Sequence, residues 1–279
     1  MNQLIRFYLL CSMLFLAVPA ISQSSKRSKK DLGYGNDPTA GHYIKLRGLN
    51  MYYETYGSGY PLLMIHGNGG SIKSFENQIP FFARHYRVIV ADSRAQGKSK
   101  DLTDSLSYSM MADDLDSLLN CLHVKSCYVI GWSDGGINGI LLALRHPGKV
   151  RKLAVSGANL VSDSTAFGTA SYKTLLAEDA VLKKLSFTGN KAKNAYKLVH
   201  LMATKPQIKP DQLQQVRCPT LVIGGDHDAI LPKHTLLIAQ SIPGAYLWIL
   251  PNSGHATLIK YKDQFNTTVY NFFRGGMKQ

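Results

Sequence analysis

Short apolar runs recur along most of this chain, and the stretches between them keep a helical period. The runs fall at residues 62–65, 88–91, 127–130, 153–156, 221–223 and 246–250. Each is too short for a helix and continuous instead of alternating, the pattern of a strand buried on both faces. Residues 110–122, by contrast, place apolar side chains three and four apart, which lines one face of an α-helix. Further upstream, 42–47 and 50–55 alternate apolar and polar positions, as an antiparallel pair with one wet face does. Strands and helices in alternation predict an α/β architecture, a mostly parallel eight-stranded sheet flanked by helices. One segment breaks the rhythm. Residues 161–215 hold helix-like stretches at 172–185 and 192–203 and no strong strand, and read as a small helical cap inserted into a domain spanning 42–279. No internal repeat is present.

The first 22 residues bear on compartment. A single positive charge at Arg6 precedes an apolar stretch at 7–18, with small residues at Ala20 and Ser22. That layout is a secretory signal peptide cleaved before Gln23, too short to read as a membrane span. The expectation is export, periplasmic or secreted, with no stable membrane span after cleavage. Residues 23–41, opening Ser-Ser-Lys-Arg-Ser-Lys-Lys after Gln23, read as a flexible basic lead-in. The chain carries a formal net charge of +14, and losing the one charge at Arg6 lowers it to +13. Such an excess suits contact with acidic surfaces. The lysines are spread without a stripe of interleaved aromatics, so no nucleic-acid partner is expected. Cys121, Cys127 and Cys218 remain after cleavage, an odd set that implies no disulfide framework. Cys218 is expected to be buried beside Pro219. Stability then rests on the core, and 45% apolar composition in a domain of this size supplies one.

The chemistry lies in the turns that follow the apolar runs. After 127–130 comes Gly131-Trp132-Ser133-Asp134-Gly135-Gly136, a serine between glycines on a strand-to-helix turn, which is the nucleophile-elbow pattern. The glycines admit the sharp turn and the serine hydroxyl is lifted clear of the sheet. The next helix aims its N-terminal amides where negative charge develops in acyl transfer. After 221–223 come Gly225-Asp226-His227-Asp228, and after 246–250 come Pro251-Asn252-Ser253-Gly254-His255. Turns after parallel strands share one edge of the sheet, so a serine, an acid and a histidine distant in sequence can meet there. A serine hydroxyl is a weak nucleophile unless an imidazole takes its proton and a carboxylate holds that imidazole. The run at 62–65 leads into His66-Gly67-Asn68-Gly69-Gly70, a loop suited to offering a backbone amide to an oxyanion. The two oxyanion donors are assigned to the N–H groups of Asn68 and Asp134.

From about His42 to the C-terminus, these motifs resemble the α/β-hydrolase superfamily. The resemblance is carried by the His-Gly loop, Asp92-Ser93-Arg94-Ala95-Gln96-Gly97-Lys98-Ser99, the elbow, Gly225-x-x-Asp228 and Gly254-His255. It implies a Ser133, His255 and Asp228 triad, because the family pattern sets the acid third after the glycine and leaves Asp226 structural. The elbow, Ser156-Gly157-Ala158-Asn159 and Val216-Arg217-Cys218-Pro219 are similar to small esterases of the valacyclovir hydrolase type. In those, the acid after the nucleophile holds the α-amino group of amino-acid esters, and Asp134 is the matching residue. Asp134 and Trp132 are the candidate substrate contacts. An acid in the first helical turn is equally what the helix dipole favours. The cap also counts against a cationic substrate, with nine Lys or Arg against four Asp or Glu in 161–217. Both readings of Asp134 stay open. Ala95 stands where the superfamily usually has Gly, which is expected to alter loop packing alone.

The resulting expectation is a cofactor-free serine hydrolase of small carboxylic esters, working through an acyl-enzyme. A lactonase, a cofactor-free perhydrolase or a carbon–carbon bond hydrolase would use the same scaffold and triad. A dehalogenase would need a carboxylate where Ser133 stands. The rival from another class is a non-catalytic ligand-binding protein. No His, Cys and Asp cluster has metal-ligand spacing, and no dinucleotide or Walker-type loop occurs. His66 reads as a structural hydrogen-bonder, and His227 and His234 as exposed loop and helix residues. Phe167, Tyr172, Phe187 and Tyr196 of the cap read as packing residues or pocket walls. The oligomeric state is left unknown.

Overall fold

The computed structural model describes residues 33–101 and 103–275. The expected signal peptide and most of the lead-in lie outside the described residues. The strands are β1 (Gly41–Leu46), β2 (Leu49–Tyr56), β3 (Pro61–Ile65), β4 (Arg87–Ala91), β5 (Cys127–Trp132), β6 (Val150–Ser156), β7 (Thr220–Gly225) and β8 (Tyr246–Leu250). They form one sheet in the order β1-β2-β4-β3-β5-β6-β7-β8. β2 pairs antiparallel with both β1 and β4, and every other pairing is parallel. The longer helices are α1 (Tyr108–Cys121), α2 (Asp134–Arg145), α3 (Thr169–Leu185), α4 (Asn190–Thr204), α5 (Pro232–Ser241) and α6 (Lys262–Phe273). This is the expected α/β fold.

The continuous apolar runs are explained by burial on both faces. Successive side chains point to opposite sides of a strand, so Leu63 and Ile65 of β3 join one core while Leu62 and Met64 join the other. The first core packs Val129, Leu153 and Val222 against Leu115 and Leu118 of α1 and Ile140 of α2. The second packs Ile130, Leu221 and Ile223 against Phe75, Phe82, Phe265 and Phe272. β1 lies at the sheet's edge with most of its residues wet, which is why it alternates.

Two boundaries shift. The ordered domain begins before His42, because Glu54, fully buried, accepts from the amides of Gly35 at 2.7 Å and Asp37 at 3.2 Å. The flexible lead-in expected to reach 41 is thus tied to the sheet over its described part, 33–41. The cap helices are longer than their apolar spacing suggested, since their first turns carry few apolar residues. α3 and α4 both fall between β6 and β7, and they enclose a small core of Leu175, Val199 and Ala203. No helix among the described residues is long and apolar enough to cross a membrane. Cys127 and Cys218 are buried and Cys121 is exposed, all as free thiols.

Candidate active site

The elbow is built by close approach. β5 ends at Trp132 and α2 begins at Asp134, leaving Ser133 alone at φ 56°, ψ −122°. A residue with a side chain adopts that conformation only where its surroundings over-determine it, at a cost of about 1–3 kcal/mol. Here the Ser133 amide donates to Ser156 O at 2.8 Å, and its carbonyl accepts from Gly136 at 2.8 Å. Gly135 is required because a side chain there would collide with the Ile65 carbonyl at the end of β3.

The turns after β5, β7 and β8 bring three side chains into one hydrogen-bonded line. Ser133 Oγ lies 2.8 Å from His255 Nε2, and His255 Nδ1 lies 2.7 Å from Asp228 Oδ1. Asp228 Oδ1 also accepts from the Ile230 amide at 2.9 Å. The carboxylate side chain is fully buried, while the imidazole keeps 18% of its surface. With Asp228 as acceptor, Nδ1 carries the proton and Nε2 is free to accept the serine hydroxyl. Burial disfavours the His255 cation, yet the charge and hydrogen bond of Asp228, with a smaller contribution from Asp134, outweigh it. The imidazole pKa therefore lies above its ordinary value of 6.5. Gly157, at φ +64°, is the floor beneath this pair. A Cβ there would sit 2.8 Å from His255 Cε1 and 2.9 Å from Nδ1.

Asp226 takes another place. Its carboxylate accepts from the Ser253 amide at 3.1 Å and lies 2.7 Å from His227 Nδ1, so it braces the turn that carries His255 and points away from the imidazole. Trp132 donates its indole N–H to the His255 carbonyl at 2.9 Å. That commits its polar edge to the histidine loop. His66 is buried, with Nε2 accepting from the Ser93 amide at 2.9 Å and Nδ1 lying 2.7 Å from Gly67 O. Burial lowers its pKa and keeps it neutral. His234 corrects the expectation of an exposed helix residue: it is 3% exposed and accepts from the Leu160 amide at 2.9 Å. It lies one turn into α5, against the strand exit where the cap begins.

Asn68 contributes more than its backbone. Its side-chain amide donates to Asp134 Oδ2 at 2.8 Å and to the Leu198 carbonyl of α4 at 3.1 Å, joining the β3 loop, the elbow and the cap. Asp134 is only 4% exposed, and it also accepts a hydrogen bond from Tyr108, the first residue of α1. Burial pushes the Asp134 carboxyl up to about 6, against the lowering by Asn68 and Tyr108. Tyr108 is itself held protonated by burial and by the neighbouring carboxylate. The backbone N–H groups of Asn68 and Asp134 find no acceptor among the described residues. Tyr108 and the Asn68 side chain escaped sequence reading, because nothing in a serine-capped helix start or a glycine-rich loop marks them as partners of a distant acid. Ala95, at φ 67°, explains the glycine usual at its position. Holding alanine in the left-handed region costs about 1–2 kcal/mol, and its carbonyl accepts from Asn194 of α4 at 2.8 Å.

The cap aromatics divide. Phe167 and Tyr172 pack on the cap's own core. Phe187 and Tyr196 border a cleft of about 700 Å³ between α4 and residues 103–106, which Ser133, Asp228 and His255 do not line. Among the described residues no cluster of His, Cys, Asp or Glu is arranged to hold a metal ion.

Comparison with known proteins agrees with this geometry. Residues 60–184 match the family model of the alpha/beta hydrolase fold. The serine hydrolase BPHL of Mus musculus is 27% identical over 248 residues, covering 83% of this chain and 85% of that protein. The 2-hydroxymuconate semialdehyde hydrolase of Pseudomonas sp. (strain CF600) is 27% identical over 268 residues, covering 85% and 95%. Among solved structures, a thermophilic esterase from Thermogutta terrifontis superimposes with a TM-score of 0.71 at 21% identity, covering 84% of this chain and 98% of the esterase. That last likeness speaks for the fold alone. With the sheet order, the elbow and these matches in agreement, the chain has the α/β-hydrolase fold and is a hydrolase on that scaffold.

Proposed function

We propose that this chain cleaves small carboxylic esters through an acyl-enzyme on Ser133. The observation that supports it is the line Ser133 Oγ, His255 Nε2, His255 Nδ1, Asp228 Oδ1, with contacts of 2.8 and 2.7 Å. His255 takes the hydroxyl proton as Oγ attacks the ester carbonyl, and Asp228 stabilises the imidazolium that forms. The oxyanion accepts from the Asn68 amide in the loop after β3 and from the Asp134 amide at the N-terminus of α2. The imidazolium returns its proton to the leaving alkoxide, which departs as the alcohol. A water, deprotonated by His255, then attacks the acyl-enzyme, and the acid is released with Ser133 restored. No cofactor enters any step.

The favoured acyl group in this reading has no cationic amine. Asp134 is nearly inaccessible and its oxygens serve Asn68 and Tyr108. A partly protonated, hydrogen-bonded acid is a poor seat for an ammonium, and the basic cap repels one further. The test is a matched ester pair, an L-amino-acid ester and its des-amino analogue, with parent protein and Ser133→Ala. Preference for the des-amino ester, lost in Ser133→Ala, supports the reading, and preference for the amino ester overturns its substrate part. Silence on both esters would bring lactones, peracids and carbon–carbon bonds forward. Action after export is also proposed, on the layout of residues 1–22. A mature N-terminus at Gln23 in the exported protein would support it, and a retained Met1 would refute it.

A further inference from the structure

The end of α3 and the turn that follows it carry three exposed apolar side chains that the cap's own packing does not use. Phe187 is 90% exposed, and Val181 and Leu185, one helical turn apart, are 56% and 46% exposed. The apolar side chains the cap needs are accounted for elsewhere, in the cluster of Leu175, Val199 and Ala203 with Phe167, Tyr172 and Leu182. α4 is tethered to the sheet-side loops through Asn194 to Ala95 O, Asn68 to Leu198 O and Lys197 to Asp101. The turn lies before all of these tethers in the chain.

Lysines dominate the chain that follows Glu178 and Asp179. Residues 180–210 contain seven lysines and no Asp or Glu. Lys193 and Lys197 are engaged with Asp104 and Asp101. Lys183, Lys184 and Lys191, which flank Phe187 in sequence, are exposed and make no ion pair among the described residues. Ordinary surface turns mix signs and bury their aromatics. Here a nearly bare phenylalanine stands among unpaired lysines.

We infer that this turn docks the cap on an anionic lipid surface, with Phe187, Leu185 and Val181 entering the headgroup boundary and the three lysines meeting the lipid phosphates. Two other occupants fit less well. A second copy would bring like charges together at the same tip. A water-soluble polyanion would satisfy the lysines and leave the phenylalanine in water. An anionic bilayer takes both, because its headgroups are negative and its interface accepts an aromatic ring. The inference is independent of the chemistry at Ser133. On this reading the cap holds the enzyme at a membrane surface.

The test is co-sedimentation of the full chain with phosphatidylglycerol vesicles and, separately, phosphatidylcholine vesicles, at low and high salt. The parent should partition onto the anionic vesicles and release in high salt, because the lysine term is screened. Each lysine near such a surface contributes about fivefold in partition. The triple change Lys183→Gln, Lys184→Gln, Lys191→Gln should therefore weaken binding by roughly a hundredfold. Phe187→Ser should weaken it several-fold with the charge unchanged. Both variants should keep the parent's thermal midpoint and its hydrolysis of a soluble ester, since none of these residues lies at the triad. Equal partition of parent and variants would overturn the inference, as would equal binding to both lipids. A dimer that Phe187→Ser dissociates, with vesicle binding unaltered, would overturn it in favour of self-association.

Discussion

Replacing Asp134 by asparagine should stabilise the protein at neutral pH and not at acidic pH. The acid is 4% exposed, and burial raises its pKa from 3.8 to about 6. At 1.36 kcal/mol for each tenfold change, ionising it in the folded protein costs about 3 kcal/mol. A carboxyl raised in the folded state favours folding below its unfolded pKa, and that advantage fades as pH rises through the folded pKa. The parent should therefore lose about 3 kcal/mol between pH 4 and pH 7 from this group. The asparagine side chain has the same shape and no charge to bury. Its carbonyl oxygen can accept from Asn68, and its amide can donate to the Tyr108 oxygen. Urea denaturation of both proteins from pH 4 to pH 8 measures the difference. The variant's advantage should grow by about 3 kcal/mol across that range, centred between pH 4 and 6. A gap that stays flat with pH would refute the argument that Asp134 ionises against its surroundings. The same variant removes one charge that favours the His255 cation, so the acid limb of its kcat/KM profile should move to lower pH. An unmoved limb would show that the two groups are uncoupled.

Asp228→Asn should lower kcat by about 10³–10⁴-fold, because the amide that replaces the carboxylate can donate to Nδ1 and hold His255 in the wrong tautomer, whereas Asp226→Asn should cost activity little; the reverse ranking in steady-state assays would exchange their roles. Gly157→Ala should cut kcat by more than tenfold, because its Cβ would meet the His255 ring at 2.8 Å in a backbone conformation at φ +64°, and wild-type turnover would show that the ring has room to shift. Asn68→Ala should cost about 1–3 kcal/mol, since Asp134 Oδ2 and the Leu198 carbonyl lose a half-buried donor; an unchanged urea midpoint would mean the link is without weight. In the parent, kcat/KM should rise with pH through a pKa above 6.5, the direction in which Asp228 moves His255, and a limb well below 6.5 would contradict that coupling.

What could be read in advance was whatever the local chain determines. The strands at 62–65 and 221–223 are apolar on every residue because both faces are covered, and a continuous run reports that directly. The reactive turns were visible for a related reason. A serine at φ 56° between close-packed backbones needs glycine at neighbouring positions, so the geometry leaves its mark in the sequence. Contacts between distant segments leave no such mark. Tyr108 and Asp134 are 26 positions apart in the chain, and Asn68 meets α4 130 residues downstream; tertiary packing alone brings them together. His234 gives no sign of its burial for the same reason, since its partner is the Leu160 amide, 74 positions away in the chain.

Whether Ser133 is the nucleophile is read by intact-protein mass measurement after treatment with an ester-mimicking organophosphonate, followed by peptide mapping. One covalent adduct per chain is expected, located on the peptide bearing Ser133, absent from Ser133→Ala and slowed in Asp228→Asn. An unmodified chain, or an adduct that persists in Ser133→Ala, would contradict that assignment.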